Sequence, residues 1–113
     1  MGSLSAAELL GLPVRLHEVR LGRVVDLVLD PAARRVLGFV VERGDETPRF
    51  LPFAASQPGE SQIDVASALM LLDDVGFYRT HGISFSELLA HWGVAAGMLV
   101  APNGNVVELE PAA

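Results

Sequence analysis

The chain has 113 residues, half of them hydrophobic and 19% charged, which excludes an intrinsically disordered chain and fits one domain, since single domains run to about 100–150 residues. Its net charge of -6, from 14 acidic residues against eight arginines and no lysine, argues against nucleic acid, whose binding is driven by phosphate neutralisation. The absence of cysteine excludes a disulfide framework and a thiolate metal site, so the cytoplasm is the expected compartment; no run approaches the ~18 apolar residues that span a bilayer, so no direct membrane insertion is expected.

The first element is a short helix over Leu4–Gly11: Ser5 and Glu8 stand in the capping-box positions, Leu4 and Leu9 can clasp as a hydrophobic staple, and Gly11 ends it. A strand is predicted from Val14 to Leu16 and a longer one from Arg23 to Asp30, rich in Val and Leu. Asp30-Pro31 opens a turn, and Arg35 to Arg43 returns as the partner of a hairpin. Both faces of the long strand are apolar. Val25, Leu27 and Leu29 alternate with Val24 and Val28, interrupted only by Asp26, so the second face needs a cover.

Gly44 to Pro48 reads as a turn and Arg49 to Phe53 as a short strand, with Pro52 restricting it to an edge or a strand end. Ala54 to Ser61 reads as loop and Gln62 to Ala66 as a strand; Ser67 to Leu72 fits a helical turn or an extended run. A second capping box, Ser84 with Glu87 and Ile83 facing Leu88, predicts a helix of about two turns ending at Gly93. Met98–Ala101 and Val106–Leu109 flank Asn103-Gly104, a strong hairpin signal.

The two helix starts align. Leu4-Ser5-x-x-Glu8-Leu9-Leu10 corresponds to Ile83-Ser84-x-x-Glu87-Leu88-Leu89, and at similar distances beyond them Gly22-Arg23-Val24-Val25-Asp26-Leu27 corresponds to Gly104-Asn105-Val106-Val107-Glu108-Leu109. On this reading the chain holds one full unit, residues 1–80, and in residues 81–113 the opening part of another.

Gly11-Leu12-Pro13-Val14, Leu21-Gly22-Arg23-Val24-Val25-Asp26 through Asp30-Pro31, Arg35 to Val41 with Gly38, and Phe50-Leu51-Pro52-Phe53 occur in an order and spacing that resembles the PRC-barrel family. The resemblance implies a mainly β fold, a small PRC-type β-barrel with short helices that leaves few free strand edges, here followed by a C-terminal helix plus β-hairpin. It also implies docking as the mode of action, since family members include a cytoplasmic domain of a photosynthetic reaction-centre subunit and a domain of a ribosome-maturation factor.

No catalytic, cofactor or metal site is predicted. His17, His81 and His91 form no His-Glu-x-x-His pattern, the serines lack a nucleophile elbow, and a chain without Lys cannot carry a phosphate loop of the Gly-x-x-x-x-Gly-Lys type. Asp26, Asp30, Asp73 and Asp74 lack the oxygen-ligand spacing of a calcium loop and read as turn pins or as partners of Arg23, Arg34 or Arg35. The expected interaction surface comprises Val24 and Val28 on the barrel and Phe85, Leu88, Leu89 and Trp92 on the second helix. Residues 83–110 are too small to fold alone and must dock, on their own barrel or by exchange on a second copy.

The function expected is that of a non-enzymatic protein-binding adaptor module, self-associating as a homodimer and with an unidentified protein partner. The alternatives are a ribosome- or RNA-associated assembly factor and an accessory subunit docking on a membrane complex. Because Val25 and Leu27 are assigned to the core, Val25→Asp or Leu27→Asp is expected to abolish cooperative thermal unfolding, measured by circular dichroism.

Overall fold

A computed structural model of the chain describes residues 4–30, 35–44, 46–59, 61–72, 75–91, 99–101 and 103–108. In chain order these form β1 (Leu4–Ser5), α1 (Ala6–Leu9), β2 (Pro13–Leu16), β3 (Val19–Leu29), β4 (Val36–Glu42), β5 (Arg49–Pro52), β6 (Ser56–Pro58), β7 (Ile63–Val65), α2 (Val75–His81), β8 (Ile83–Ser84), α3 (Phe85–His91), β9 (Leu99–Val100) and β10 (Val106–Glu108). Two 3-10 turns, Phe53–Ala55 and Ala68–Met70, precede β6 and α2.

The fold is mainly β, a sheet curled into a half-barrel with short helices and a C-terminal helix plus hairpin. Its strands run in the order β5-β4-β3-β2-β7-β6, with β8 added against β3, and a separate three-stranded sheet is ordered β1-β9-β10. β3 is the spine. Its first half pairs with β2, its second half with β4, and its last two residues with β8. A strand of 11 residues can do this because it bends: the ladder with β4 shifts register between Val24 and Asp26 and again between Val28 and Leu29. Such bulges kink a strand and raise its twist.

The first bulge also resets which side chains share a face. Val24, Leu27 and Leu29 belong to one core with Phe39, Leu51 and Phe85, whereas Val25 and Val28 lie with Val40 and Phe50 on the other side. The expected face shared by Val24 and Val28 therefore does not exist, because simple alternation fails at an inserted residue. The need for a cover on the second face is real. Val75 and Tyr78 of α2 provide it, with the Tyr78 ring stacked on Phe50 at 3.8 Å between centroids and 7° between planes.

Several local expectations change. β3 begins at Val19, so β2 and β3 form a hairpin turned by His17, which takes a left-handed φ of 57°. The expected loop over Ala54 to Ser61 contains β6, and Ser67 to Leu72 proves to be both a 3-10 turn and an extended bridge, Leu72 pairing with Phe50. Ser5 makes no side-chain cap bond, because Leu4 and Ser5 are a strand paired with β9. Pro52 ends β5, the outermost strand on its side of the sheet order, where its missing N–H costs no ladder bond.

Gly38 marks the closest approach within the sheet: a methyl group there would run into the Leu51 carbonyl oxygen and the Phe50 ring. Gly38→Ala is expected to lower the unfolding free energy by about 1–3 kcal/mol in urea titrations, the usual cost of overpacking.

Candidate functional site

The residues past the barrel are tied to it by one polar cluster, strand pairing and several packing contacts. Asp26, 5% exposed in the middle of β3, has a carboxylate with four hydrogen-bond donors around it. The Leu27 N–H donates to Oδ1 at 2.8 Å and the Ser86 N–H at 3.1 Å. The Ser84 hydroxyl donates to Oδ2 at 2.5 Å and the Ser86 hydroxyl at 2.9 Å. A carboxylate offers about four lone-pair positions, so the acceptor capacity is filled. Ser84 thus bonds a carboxylate from a distant strand, the expected partner Glu87 being exposed, and that same carboxylate takes an N–H from the first turn of α3.

Around this anchor, Phe85 is fully buried in the inner core. Farther along, the Val36 N–H donates to the Gly104 carbonyl at 2.8 Å, and Gly104 lies so close to Phe53 that a Cβ would come within 3.1 Å of the ring. Val100 of β9, paired with Leu4, completes the same core. In the single chain the described residues of the C-terminal segment thus pack on its own barrel.

This placement settles where the expected surface residues lie. Val24, Val28 and Phe85 are buried within the chain, Val24 and Phe85 in one core and Val28 in the other. The side chains of Leu88 and Leu89, and all of Trp92, lie outside the described residues, as do Asp73 and Asp74. Asp30 does pin its turn, accepting the Arg35 N–H at 3.3 Å. His81 stacks on Phe77 at 4.3 Å and its Nδ1 sits 2.8 Å from the Phe77 carbonyl oxygen. Among the described residues no three His, Asp or Glu side chains gather in a way that could hold a metal ion.

The surface that sequence reasoning missed is centred on the 3-10 turn Ala68–Met70. Leu69 is 87% exposed. Met70 lines a groove of ≈ 540 Å³ with His17, Ala55, Gln57 and Val65, beside strand β6. Leu71 lines a smaller cleft of ≈ 140 Å³ with Leu21, Val41, Arg43 and Arg49. These three consecutive apolar side chains form a ridge in which Leu69 projects into solvent, Met70 and Leu71 each line a depression, and Leu71 also packs partly on the inner core. Phe77 of α2, 50% exposed, adds a fourth apolar group within nine residues of Leu69 along the chain. The available signal was the run Ala68-Leu69-Met70-Leu71-Leu72, which has more apolar residues than one short turn can bury.

The family model of the PRC-barrel domain matches residues 1–71. The chain belongs to the PRC-barrel family. No curated protein and no solved structure matches it. The PRC-barrel match ends at Leu71, on the ridge itself, and the elements from α2 to β10 follow it. None of the helices among the described residues is long and apolar enough to cross a membrane.

Since Asp26 is the polar tie between the PRC-barrel and the segment beyond it, Asp26→Ala takes the side-chain acceptor from the buried Leu27 N–H and leaves the Ser84 hydroxyl only that of Ser86 as a partner. A buried donor left unsatisfied costs about 1–3 kcal/mol, and amides of residues 84–91 are expected to exchange faster with deuterium than those of β4.

Proposed function

We propose that this PRC-barrel protein is a non-enzymatic, cytoplasmic adaptor module that binds protein partners and self-associates. The observation that supports this most directly is the ridge of Leu69, Met70 and Leu71 between two clefts. The barrel covers its own apolar faces with α2 and with the C-terminal segment, yet leaves Leu69 in water at 87% exposure and Met70 at 37%, while Leu71 packs partly on the core. A contiguous exposed apolar feature bordered by depressions is the usual form of a protein contact, whereas single scattered apolar side chains carry no such meaning. Half of this small chain is hydrophobic, and a second copy is the simplest partner for what one small core cannot hide. The net charge of -6 disfavours the RNA-associated alternative.

The test is sedimentation velocity over a wide range of protein concentration, on the parent and on a Leu69→Ser, Phe77→Ser double variant. Concentration-dependent dimerisation is expected for the parent and loss of it for the variant, with thermal stability little changed because both side chains are exposed. A parent that stays monomeric at every concentration would remove self-association from the reading, and equal capture of cellular proteins by parent and variant would remove the ridge.

A further inference from the structure

We propose that a second cleft, lined by Arg20, Arg23 and Arg43, binds an acidic peptide segment that carries an apolar side chain, and so names the chemistry of a protein partner; this rests on the protein-binding reading above. The cleft has a volume of ≈ 310 Å³ and is closed by Gly22, Glu42 and Gly44. Its arginines come from two sources that the fold brings together: Arg20 and Arg23 from β3, and Arg43 from the end of β4, next to Glu42, the register partner of Arg23.

These guanidinium groups are not used by the fold. Among the described residues the side chains of Arg20 and Arg23 make no hydrogen bond or ion pair, and both are exposed. Glu42 stands opposite Arg23 in the ladder without forming an ion pair with it. Arg43 reaches Glu46 only at 3.9 Å, with both side chains about three-fifths exposed, a contact of little energetic weight. The three arginines and Glu42 give this lining a charge of +2 in a chain whose total is -6, so the remainder carries -8. Cations concentrated in one depression of an acidic molecule focus the field there and draw in a short anion.

The occupant follows from what the cleft offers and what surrounds it. Arginine presents a planar fork that pairs two-pronged with carboxylate or phosphate, which lysine cannot reproduce. A long polyanion would have to lie along the acidic remainder, which disfavours nucleic acid. A bare phosphate would use only the guanidinium groups. The adjoining cleft, which shares Arg43, has a mixed lining in which Leu21, Val41 and Leu71 stand beside Glu46, Thr47 and Arg49. Carboxylates spaced along a peptide with an apolar side chain between them match both halves.

The experiment is a titration of the full chain with a fluorescently labelled peptide of alternating Glu and Leu, followed by anisotropy and by backbone amide shifts. Three comparisons accompany it: the same peptide with Gln for Glu, inorganic pyrophosphate, and the variants Arg20→Gln with Arg23→Gln and Arg23→Lys. Binding that moves the amides of Arg20 to Arg23 and Glu42 to Gly44 is expected. It should weaken at least tenfold in the double Gln variant, weaken measurably in Arg23→Lys despite the retained charge, and fall with added salt. A peptide bound no better than its Gln counterpart, or bound equally by the double variant, overturns the proposal. Pyrophosphate bound as tightly as the peptide overturns the peptide occupant and assigns the cleft to small anions. If the peptide fails while the Leu69→Ser, Phe77→Ser variant still loses dimerisation, the cleft proposal falls alone and the adaptor reading stands.

Discussion

A carboxylate set in the middle of an apolar strand must find donors or the strand cannot be buried. Asp26 finds one in the next backbone N–H and three more on Ser84 and Ser86, about sixty residues away in sequence. That distance is what makes the group decisive. A polar atom satisfied locally would fix a turn; satisfied by a remote segment, it makes the burial of β3 conditional on the arrival of β8 and α3. Apolar contact alone would let Phe85 slide across the sheet, since hydrophobic attraction has no direction, while three hydrogen bonds from Ser84 and Ser86 to one carboxylate fix both position and orientation.

The same strand shows why the barrel curls where it does. The bulge between Val24 and Asp26 lies beside the buried carboxylate, and because Val25 is the extra residue, Leu27 returns to the inner face that Val24 occupies while Val25 packs on the outer one. Without it the register would set Asp26 opposite Phe39, a residue of the inner core. The outer face created in this way, Val25, Val28, Val40 and Phe50, is covered by α2 through Val75 and Tyr78, and the stacked Phe50 and Tyr78 rings fasten helix to sheet.

Much of the barrel was legible in the sequence. The β3-β4 hairpin follows from Val- and Leu-rich runs around Asp30-Pro31, and the C-terminal hairpin from Asn103-Gly104, because turn chemistry and β-branching act locally. The family resemblance was carried by the order of such pieces, and it holds over residues 1–71. What could not be read depends on distant partners. Ser84 has the chemistry of a helix cap, and only the fold reveals that its hydroxyl bonds Asp26. The bulge has no local signature in Val24-Val25-Asp26, so the faces were assigned by simple alternation and Val24 and Val28 were placed together. α2 was missed because Gly76 and two adjacent aromatics give it weak helix propensity, and its stability comes from packing on the sheet.

The alignment of the two helix starts has a structural counterpart with a consequence for the whole chain. Each is a two-residue strand running into a helix, Leu4–Ser5 into α1 and Ile83–Ser84 into α3. Each opening strand pairs with the other end of the molecule: β1 with β9 of the C-terminal segment, and β8 with β3 of the barrel. Neither unit keeps its own opening strand. Reciprocal exchange of this kind binds the first residues of the domain to the last described ones, and it removes Leu4, Phe85 and Val100 together from water. A segment that holds the barrel's first strand in place cannot serve as a free recognition arm without disturbing the core. The ridge at Leu69 to Leu71 and the arginine-lined cleft take no part in the exchange. The ridge lies on a short connection, where side chains can differ without changing what holds the barrel together, whereas Arg20 and Arg23 of the cleft stand on β3 itself.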